Sequence, residues 1–586
     1  MILTDWEGIW MEKWFVAMKK ADFNGIAEKY QISPIIARLM RNRDVIGDEA
    51  IDFYLNGTVE DLYDGLLMKD MDRAVDILKE KIEEGKKIRV IGDYDIDGVN
   101  ATYILQQGLA GLGADVDTDI PDRIKDGYGL NQMLIDRALE DDVDTIITCD
   151  NGIAAMNEIA YGKENGMTIV VTDHHEVPYL EENGEKKYLL PPADAVVDPH
   201  RADCEYPFKG LCGAAVAYKL VEVLYRVSGK SEQEVEHLQD NLMENVAIAT
   251  IGDVMDLVGE NRVFVKKGLE LLKTTKNEGL HALMQCTGVD TANLNTYHIG
   301  FVIGPCINAG GRLDTAKRAL ELLNASNRRE AVTLAADLKE LNDSRKEMTE
   351  EGVEEAVRQI ESSSWKDDQV LVVYLPECHE SIAGIIAGRI KERYYRPTFV
   401  LTKGETGVKG SGRSIESYSM YEKLCECKEY LTKFGGHPMA AGLSLEEENV
   451  ERFRRKLNEQ SGLTEEDLVE KVTIDVPMPI HYIRKDLVQE LSLLEPFGKG
   501  NEKPLFAQKN LWVSQMRVFG KNRNVVKMRL TDENGYPMDG VYFGNGDEFA
   551  EEGRGKRKIS IVYYPDINMY QGRESLQVII RHYQFD

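Results

Sequence analysis

The chain has 586 residues, too many for one ordinary hydrophobic core, and about 150 residues per domain predicts three or four domains. Its 43% hydrophobic and 29% charged residues are typical of a soluble globular protein. A net charge of −30 argues against a nucleic-acid partner unless basic side chains are concentrated in a local groove. Eight cysteines without a C-x-x-C pair argue against a disulfide framework and a zinc knuckle, so we expect reduced thiols.

The N-terminal part predicts helices over residues 1–80. Residues 1–23 interleave acids and lysines with aromatic side chains, unlike a signal peptide. No apolar run reaches the roughly 18 residues that a membrane span needs. We therefore expect a cytoplasmic protein without membrane association.

From Lys86 the pattern changes to short β-branched runs separated by amphipathic segments. This alternation predicts a parallel, doubly wound α/β sheet, which we place in a domain over residues 81–325. The candidate strands are KIRVIG (87–92), DVDTDI (115–120), DTIITC (144–149), TIVVT (168–172) and ADAVVD (193–198).

A long helical pattern follows, in which apolar residues such as Ala331 and Leu338 keep a 3.6-residue period. We expect a connecting helix over residues 326–362, roughly 50 Å long at about 1.5 Å per residue. A second α/β region begins with QVLVVYLP and is placed at residues 363–462. Residues 463–586 have short strands and turns at the spacing of an OB-like β-barrel.

The first strand of the α/β region ends in GDYDIDG, and D-x-D-x-D-G is also how a calcium-binding EF-hand loop begins. That loop requires a glutamate at its twelfth position and a helix on each side. Counted from Asp93, the twelfth residue is Ile104, and the preceding run is a strand. Both features exclude a calcium loop and leave Asp93, Asp95 and Asp97 at the end of a strand.

Acidic and imidazole side chains also follow two further strands, at the edge of a parallel sheet where ligands bind. They are Asp150 and the run Asp173-His174-His175. So many like charges would repel strongly unless cations neutralise them, and carboxylates mixed with imidazole suit Mn²⁺ or Mg²⁺. Two such ions can activate a water and stabilise the oxygens of a phosphoryl displacement.

A fourth acidic segment, VAIATIGDVMDLV, adds Asp253 and Asp256 after an apolar run. The alternative for all these aspartates is that they only cap helices and form turns. Several such sites together with a His-His pair favour a metal centre. The chain has neither a G-x-x-x-x-G-K-[ST] loop nor a G-x-G-x-x-G motif after its first strand, which argues against nucleotide-cofactor sites.

The segments GDYDIDG, TCDNGI, VTDHH and IGDVMDL resemble, in this order, the four phosphoesterase motifs of the DHH superfamily. The resemblance extends through IPDRIKDGYGL, INAGGRLDTAKRAL, KGSGRSIESYS, FGGHPMAAGLSL and PFGKGNEKPLF. This set is similar to the RecJ family of bacterial single-stranded-DNA-specific exonucleases. It implies a DHH-type parallel-sheet domain joined by a long helix to a DHHA1 α/β domain, followed by the OB-like barrel.

The resemblance implies two ions, Mn²⁺ or Mg²⁺, that share one bridging carboxylate. The ligands of one ion would be Asp93, Asp95 and Asp150. The ligands of the other would be Asp97, Asp150, His174 and Asp256. His175 would face the scissile phosphate, so the implied catalytic residues are Asp97, Asp150, His174 and His175.

The fourth motif departs from the family pattern, which usually reads T-V-A-D, because this chain has Asp253-Val-Met-Asp256. We align Asp256 with the family's ligand. For the additional Asp253 we expect a capping or supporting role rather than coordination.

GSGRS and GGHPMAAG in the second α/β domain favour phosphate contact, although a Gly-Gly pair alone is typical of a tight turn. Arginine suits such a site because its planar fork binds phosphate bidentately. By the resemblance, the residues that bind the strand and its 5′ phosphate or shape the cleft would be Arg123, Arg312, Ser411, Arg413, Ser414 and His437.

The barrel interleaves aromatic and basic side chains, as OB-folds that bind single strands do, and we assign about half of the aromatics to packing. The aromatics are Trp512, Phe519, Tyr542, Phe543, Tyr563 and Tyr564. The neighbouring basic residues are Lys509, Arg517, Lys521, Arg523, Lys527 and Arg529.

These features lead to the hypothesis of a metal-dependent 5′→3′ exonuclease that releases mononucleotides from single-stranded DNA in repair and recombination. The resemblance further implies a passage between the DHH and DHHA1 domains that is too narrow for duplex. We expect a monomer that cooperates with a helicase and a single-strand-binding protein. Open alternatives are a DHH phosphodiesterase on short oligoribonucleotides or cyclic dinucleotides, a pyrophosphatase, and an inactive DNA-binding scaffold.

Overall fold

The computed structural model describes residues 12–123, 126–127, 129–182, 184–404, 407–570 and 572–586. The chain divides into two compact units. One unit comprises residues 1–62, 254–267 and 471–586, and the other comprises 63–253 and 268–470. The first eleven residues of the expected N-terminal helical segment lie outside the described part.

The larger unit contains the parallel sheet that the sequence predicted. In spatial order its strands are Asp115–Asp119, Lys87–Ile91, Thr145–Cys149, Thr168–Thr172 and Ala195–Val197. All of these strands except the edge strand Asp115–Asp119 are rich in Ile and Val, because helices cover both faces of such a sheet. Strand Lys87–Ile91 lies between the next two strands in sequence, so the strand order reverses beside it. GDYDIDG therefore follows the switch point, where α/β sheets bind ligands.

Helices surround this sheet and extend the unit. Their bounds are Met71–Glu83, Ile96–Gly111, Gln132–Glu140, Met156–Glu164, Gly213–Val227, Glu232–Gly252, Glu278–Thr287, Gly304–Leu313 and Lys317–Leu323. A further helix, Gly259–Leu272, has its residues 259–267 in the other unit. Helices Ile96–Gly111 and Gly213–Val227 pack closely because Gly108 has no side chain. A Cβ there would lie 2.4 Å from Val221 Cγ1.

A 34-residue helix, Arg328–Glu361, runs from the first sheet domain to the second. It begins at Asn327, whose side chain accepts a hydrogen bond from the Glu330 amide, as an N-cap residue does. Its buried side includes Ala331, Leu338 and Ile360, as the 3.6-residue period predicted.

The second sheet is mixed. Its strands in spatial order are Leu431–His437, Ala440–Leu445, Val408–Arg413, Thr398–Lys403 and Leu371–Tyr374. Its helices are Ala383–Tyr394, Met420–Glu426 and Val450–Glu459. Strand Val408–Arg413 lies in the middle of this sheet and carries the GSGR segment.

The other unit is built around a six-stranded β-barrel. The strands are Val476–Pro477, Phe506–Phe519, Val525–Thr531, Pro537–Phe543, Arg573–Phe585 and Lys558–Tyr570, and helix Gly546–Glu552 packs against them. Strand Phe506–Phe519 pairs with both Val525–Thr531 and Lys558–Tyr570, which closes the barrel. The OB-like fold that the sequence predicted is confirmed.

The N-terminal part of this unit contains helices Phe23–Tyr30, Pro34–Asn42 and Asp48–Asn56. It differs from the expectation at Lys13–Val16, which is a strand paired in parallel with Lys471–Ile474. Aromatic and β-branched residues in KWFV suit a strand, and the pairing partner lies far away in sequence. Among the described residues, no helix combines the length and apolar character that crossing a bilayer requires. All eight cysteines are free thiols.

Candidate active site

The GDYDIDG segment makes a tight strand-to-helix turn that only glycine permits at two positions. A Cβ on Gly92 would lie 1.9 Å from Thr102 Oγ1, and one on Gly98 would lie 2.4 Å from the Asp93 carbonyl oxygen. Asp95 caps helix Ile96–Gly111, because its Oδ1 accepts hydrogen bonds from the amides of Asp97 and Gly98. The turn thus brings Asp93, Asp95 and Asp97 to one end of the sheet.

A second helix end holds the carboxylates in place. Both oxygens of the buried Asp97 accept amide hydrogen bonds, from Gly213 at 2.6 Å and from Ala214 at 2.8 Å. These amides begin helix Gly213–Val227, where the helix dipole favours a negative charge. Asp150 follows its strand with a φ of 58°, and Gly213 allows its close approach, because a Cβ there would lie 2.7 Å from Asp150 Cβ.

The acidic side chains meet around one imidazole. His174 Nε2 lies 3.0 Å from Asp150 Oδ1, 3.4 Å from Asp97 Oδ2 and 3.9 Å from Asp253 Oδ2. Within each of three groups, the possible ligand atoms lie within 4.8 Å of one another. The groups are Asp93, Asp95 and Asp150; Asp97, His174 and Asp253; and Asp150, His174 and His175.

The raised pKa values of the clustered carboxylates indicate that the site requires bound cations. Burial, reinforced by the charge of Asp95, raises the pKa of Asp93 to about 8. Burial also raises the pKa of Asp97, and burial with the neighbouring Asp97 raises that of Asp150 well above its ordinary range. Carboxylates crowded in this way take up protons unless a cation neutralises them.

Asp93 tests most directly whether these side chains suit a bound metal ion. Neither of its buried oxygens accepts a hydrogen bond of normal geometry from the described residues, although the amides of Tyr94 and Gly129 partly lower its pKa. A buried carboxylate without donors is costly, so its oxygens require another partner. Burial lowers the pKa of His174 and favours a neutral imidazole that can act as a ligand. Hard oxygens with one imidazole fit Mn²⁺ or Mg²⁺.

The fourth motif differs from the sequence alignment. The carboxylate beside His174 and Asp97 belongs to Asp253, for which we expected only a supporting role. Asp256, the expected ligand, is half exposed and forms an ion pair with Lys499 at 3.2 Å. The cause is local: helix Glu232–Gly252 ends beside the cluster, and the chain then turns at Val254, which has a φ of 57°. Asp253, and not Asp256, is therefore the acidic side chain of this motif that faces the cluster.

His175 is positioned by a residue to which the sequence analysis gave no role. Asp173 Oδ1 lies 2.7 Å from His175 Nδ1, and Asp173 Oδ2 accepts a hydrogen bond from the Ile153 amide. Burial alone would lower the pKa of His175, but the hydrogen bond and charge of Asp173 raise it to about 9. Its place beside the His-His pair was the only sequence signal for Asp173.

A basic cleft of about 560 Å³ opens between the two sheet domains of the same unit. Among the expected nucleic-acid-binding residues, the structure brings together Arg123, Arg312, Ser411 and Arg413 in its lining. Burial, with the charges of Arg123 and Arg345, lowers the pKa of Arg312 to about 10. Burial and Arg123 also lower the pKa of Arg413. Crowded, partly desolvated guanidinium groups favour an anion between them.

Contacts with neutral groups orient these arginines. Arg312 Nη1 donates to the Ser381 carbonyl oxygen at 2.9 Å. Arg413 Nη1 donates to Ser411 Oγ at 3.2 Å. Arg123 lies over the ring of Tyr94, with the guanidinium carbon 5.0 Å from the ring centre.

Two expected cleft residues lie elsewhere. Ser414 is buried, and its hydroxyl donates to the Tyr418 carbonyl oxygen at 2.5 Å, so it supports the end of the central strand rather than the cleft. His437 is exposed at the end of strand Leu431–His437, two residues beyond Gly435, which does line the cleft.

Three family models match the chain in succession. They are the DHH family, N-terminal domain, over residues 87–250; the DHHA1 domain over residues 367–462; and the RecJ OB domain over residues 474–582. The single-stranded-DNA-specific exonuclease RecJ of Bacillus subtilis is 37% identical over 562 residues, which are 95% of this chain and 68% of that protein. The chain belongs to the RecJ family.

Other RecJ proteins match over almost their full length. RecJ of Salmonella typhimurium is 34% identical, covering 94% of this chain and 95% of that protein. RecJ of Escherichia coli is 32% identical, covering 94% and 96%. The predicted family and the predicted succession of DHH, DHHA1 and OB domains are confirmed.

Solved RecJ structures share the fold and contain metal. RecJ of Thermus thermophilus in complex with Mn²⁺ superposes with a TM-score of 0.81 at 28% identity, covering 97% of this chain and 79% of that one. The Mg²⁺ complex of the same protein gives a TM-score of 0.76 at 26% identity, covering 97% and 78%. These are the two metals that the sequence predicted as cofactors.

Proposed function

We propose that this chain is a metal-dependent exonuclease that removes nucleotides from the 5′ end of single-stranded DNA. The observation that carries the proposal is the pairing of a carboxylate–imidazole cluster with an arginine-lined cleft in one unit. The cluster suits phosphodiester hydrolysis, and the cleft suits an anionic end group. The RecJ proteins matched above carry the name of single-stranded-DNA-specific exonucleases, which supports this substrate.

The two ion positions follow from the groups of close oxygen and nitrogen atoms. Asp93, Asp95 and Asp150 would hold one ion, and Asp97, Asp150, His174 and Asp253 would hold the other. Bound there, two divalent ions supply an activated water and a clamp on the phosphoryl oxygens. The protein contributes fixed ligands, because amide hydrogen bonds hold Asp95 and Asp97 in orientation before substrate arrives.

His175 supplies positive charge and a proton donor beside this cluster. In the metal-free protein, and against the effect of burial, the hydrogen bond and charge of Asp173 raise the pKa of His175 to about 9, which favours the imidazolium form. Asp173 engages Nδ1, and we propose Nε2 as the ring atom that contacts the substrate phosphate. A protonated imidazole in this place stabilises negative charge on the phosphoryl group or donates a proton to the leaving oxygen.

The arginine cleft determines which bond is cut. A terminal 5′ phosphate held by Arg123, Arg312 and Arg413 would leave the neighbouring phosphodiester bond at the carboxylate cluster. Each cycle would then release one mononucleotide and advance the strand in the 5′→3′ direction. Phosphate contacts carry no base information, which suits an enzyme that degrades DNA of any sequence.

The barrel offers exposed rings to the single strand. Phe519 and Phe543 both face Val525 in register on neighbouring strands, and Phe543 is 59% exposed. Trp512 is also exposed, with Lys558 Nζ 4.8 Å from its ring centre. Tyr563 is instead completely buried and donates its hydroxyl to the Met478 carbonyl oxygen. We therefore assign Tyr563 to the core of the barrel and the exposed rings to contact with the nucleic acid.

Strands labelled at the 5′ or the 3′ end test the proposal in the presence of Mn²⁺. Wild type should release the 5′ label first, as a mononucleotide. Asp97→Ala and Asp150→Ala should lose this activity while binding the strand. First release from the 3′ end, or preference for short oligoribonucleotides or cyclic dinucleotides over long DNA, would contradict the proposal.

Several sequence expectations remain predictions. They are the domain limits 1–80, 81–325, 326–362, 363–462 and 463–586, the monomeric state, cooperation with a helicase and a single-strand-binding protein, the cytoplasmic location, and action in repair and recombination. Size-exclusion chromatography with light scattering tests the monomer. Pull-down with purified candidates tests the protein partners.

A further inference from the structure

Two aromatic side chains just before helix Gly304–Leu313 are left unburied by the fold. Tyr297 is 61% exposed and Phe301 is 69% exposed. Their rings stack with centres 5.1 Å apart and planes inclined by 24°. On the other side of the same helical segment, Ile299 and Ile303 are buried. The pair therefore presents ring faces to solvent while the segment itself is anchored in the core.

The segment has an unusual backbone. Residues Ile299–Ile303 form a π-helical turn, which continues directly into helix Gly304–Leu313. Single π-turns occur frequently at functional sites because they re-aim side chains at a cost in stability. Here the turn carries Phe301.

The helix that follows the π-turn leads from the ring-bearing segment to the active site. Its positions 308 and 312 are four residues apart and share a face. On it, Asn308 Oδ1 accepts a hydrogen bond from the Ile96 amide at 2.9 Å, next to Asp95. Farther along, Arg312 enters the basic cleft. The rings and Arg312 therefore lie on one continuous helical segment, and Asn308 between them contacts the turn that carries Asp95.

Packing places the ring-bearing segment against the helix end that precedes the cluster. A Cβ on Gly300 would lie 3.5 Å from Ile251 Cγ2, and Ile251 precedes the ligand Asp253 by two positions. Phe301 precedes Asn308 by seven positions, about 10 Å along a helix axis. At about 3.4 Å per stacked nucleotide, this distance corresponds to roughly three nucleotides of a single strand.

We propose that Tyr297 and Phe301 form a stacking platform for the bases on the 3′ side of the scissile bond. This inference rests on the proposed function, in which the 5′ phosphate occupies the arginine cleft at the other end of the same helical segment. Aromatic faces bind single strands without base preference because every base has a π-face. The platform holds the strand in line after each mononucleotide leaves.

The test compares two substrates for the full-length enzyme with Mn²⁺. One is a 5′-phosphorylated dinucleotide, which is too short to reach the rings, and the other is a strand of about twelve nucleotides. Tyr297→Ala and Phe301→Ala should each lower kcat/KM on the longer strand about ten-fold, and leave the dinucleotide rate unchanged. Phe301→Trp should restore activity. Met133→Ala, which truncates another exposed apolar side chain of this unit, should change neither rate.

The outcomes separate the platform from the proposed function. Failure of wild type to cleave either substrate would remove the exonuclease assignment itself. Normal longer-strand activity in the double alanine variant would overturn the platform alone. A parallel loss on the dinucleotide would instead show that the rings only support the fold of the site. A change in self-association without a change in longer-strand activity would assign the rings to contact with a second copy.

Discussion

Asp173 Oδ1 lies 2.7 Å from His175 Nδ1. The same oxygen accepts a hydrogen bond from the His174 amide, and the second oxygen accepts one from the Ile153 amide. These contacts hold the Asp173 carboxylate rigidly, and they fix the ring of His175 and its charge. Asp173 is therefore a positioning residue, which acts on the reaction only through His175.

Replacing Asp173 by asparagine should lower the pKa of His175. In the native protein the Asp173 hydrogen bond and charge hold that pKa at about 9, against the effect of burial. Without the negative charge, the imidazolium should lose its proton at a clearly lower pH. Proton NMR of the histidine rings in metal-free protein measures this shift, and Asp136→Asn serves as the control. The exonuclease rate at pH 8 should fall about 10- to 100-fold. An unchanged His175 titration would contradict this role.

Replacing Asp253 by alanine should weaken Mn²⁺ binding more than replacing Asp256. Asp253 Oδ2 lies 3.9 Å from His174 Nε2, whereas Asp256 pairs with Lys499. We expect Asp253→Ala to lower the Mn²⁺ affinity at least about ten-fold and Asp256→Ala to leave it nearly unchanged. Electron paramagnetic resonance of free Mn²⁺ measures both. The reverse order of effects would restore the alignment-based assignment.

The sequence was sufficient for the ligands at strand ends. Asp93, Asp150 and His174 follow three strands of one parallel sheet, and parallel strands all place their carboxyl ends at the same edge. Their convergence therefore needs no knowledge of helix packing. The position of Asp253 does depend on helix packing. The end of a helix and the left-handed backbone conformation of Val254 determine which carboxylate faces His174. A sequence signal for Asp253 was nevertheless present, because Thr250-Ile-Gly-Asp253 has the spacing of the family's T-V-A-D pattern.

The geometry of a strand argues against a place for Ser414 in the cleft. Side chains in a strand alternate between the two faces, and Ser411 and Arg413 share the face toward the cleft. Ser414 is one position farther and points to the buried side.

The contact of Asp173 with His175 could not be predicted from the sequence. The hydrogen bond of Asp173 to the neighbouring His175 depends on how the loop after strand Thr168–Thr172 turns, which residue types alone do not determine.

Replacing Gly213 by alanine should disable the site without unfolding the unit. The added Cβ would lie 2.7 Å from Asp150 Cβ and 2.9 Å from Asp150 Cα, so the bridging carboxylate must move. Misplacement of a catalytic group by about 1 Å can cost roughly 100-fold in rate. The exonuclease rate and the melting temperature are the readouts. In Gly388→Ala, a Cβ in helix Ala383–Tyr394 meets nothing within 4 Å, and activity should be preserved. Equal activity of both variants would contradict the packing argument.

Replacing Glu244 by glutamine should stabilise the protein at high pH. Burial raises the pKa of Glu244 to about 7, although Thr275 Oγ1 donates a hydrogen bond to it at 2.8 Å. As the pH rises from about 4.3 to 7, the unfolded chain releases this proton and the folded chain keeps it, so stability falls. Above pH 7 the loss of folding stability stays constant, at about 4 kcal/mol.

The melting temperature as a function of pH tests this account. Glu244→Gln should melt at a higher temperature than wild type at pH 8, and the difference should vanish near pH 4. Glu236→Gln, at an exposed position of the same helix, should follow wild type at both values. An increase in melting temperature that does not depend on pH would assign the effect to packing and not to the buried charge.

Calorimetric titration of Mn²⁺ into metal-free protein tests the central claim most directly, because Asp150 belongs to two of the three possible ligand groups. Wild type should bind two ions per chain. Asp150→Asn should lose tight binding of both ions, while Asp136→Asn should retain both. Binding of a single ion by wild type, or two undiminished ions in Asp150→Asn, would contradict a two-metal centre bridged by this carboxylate.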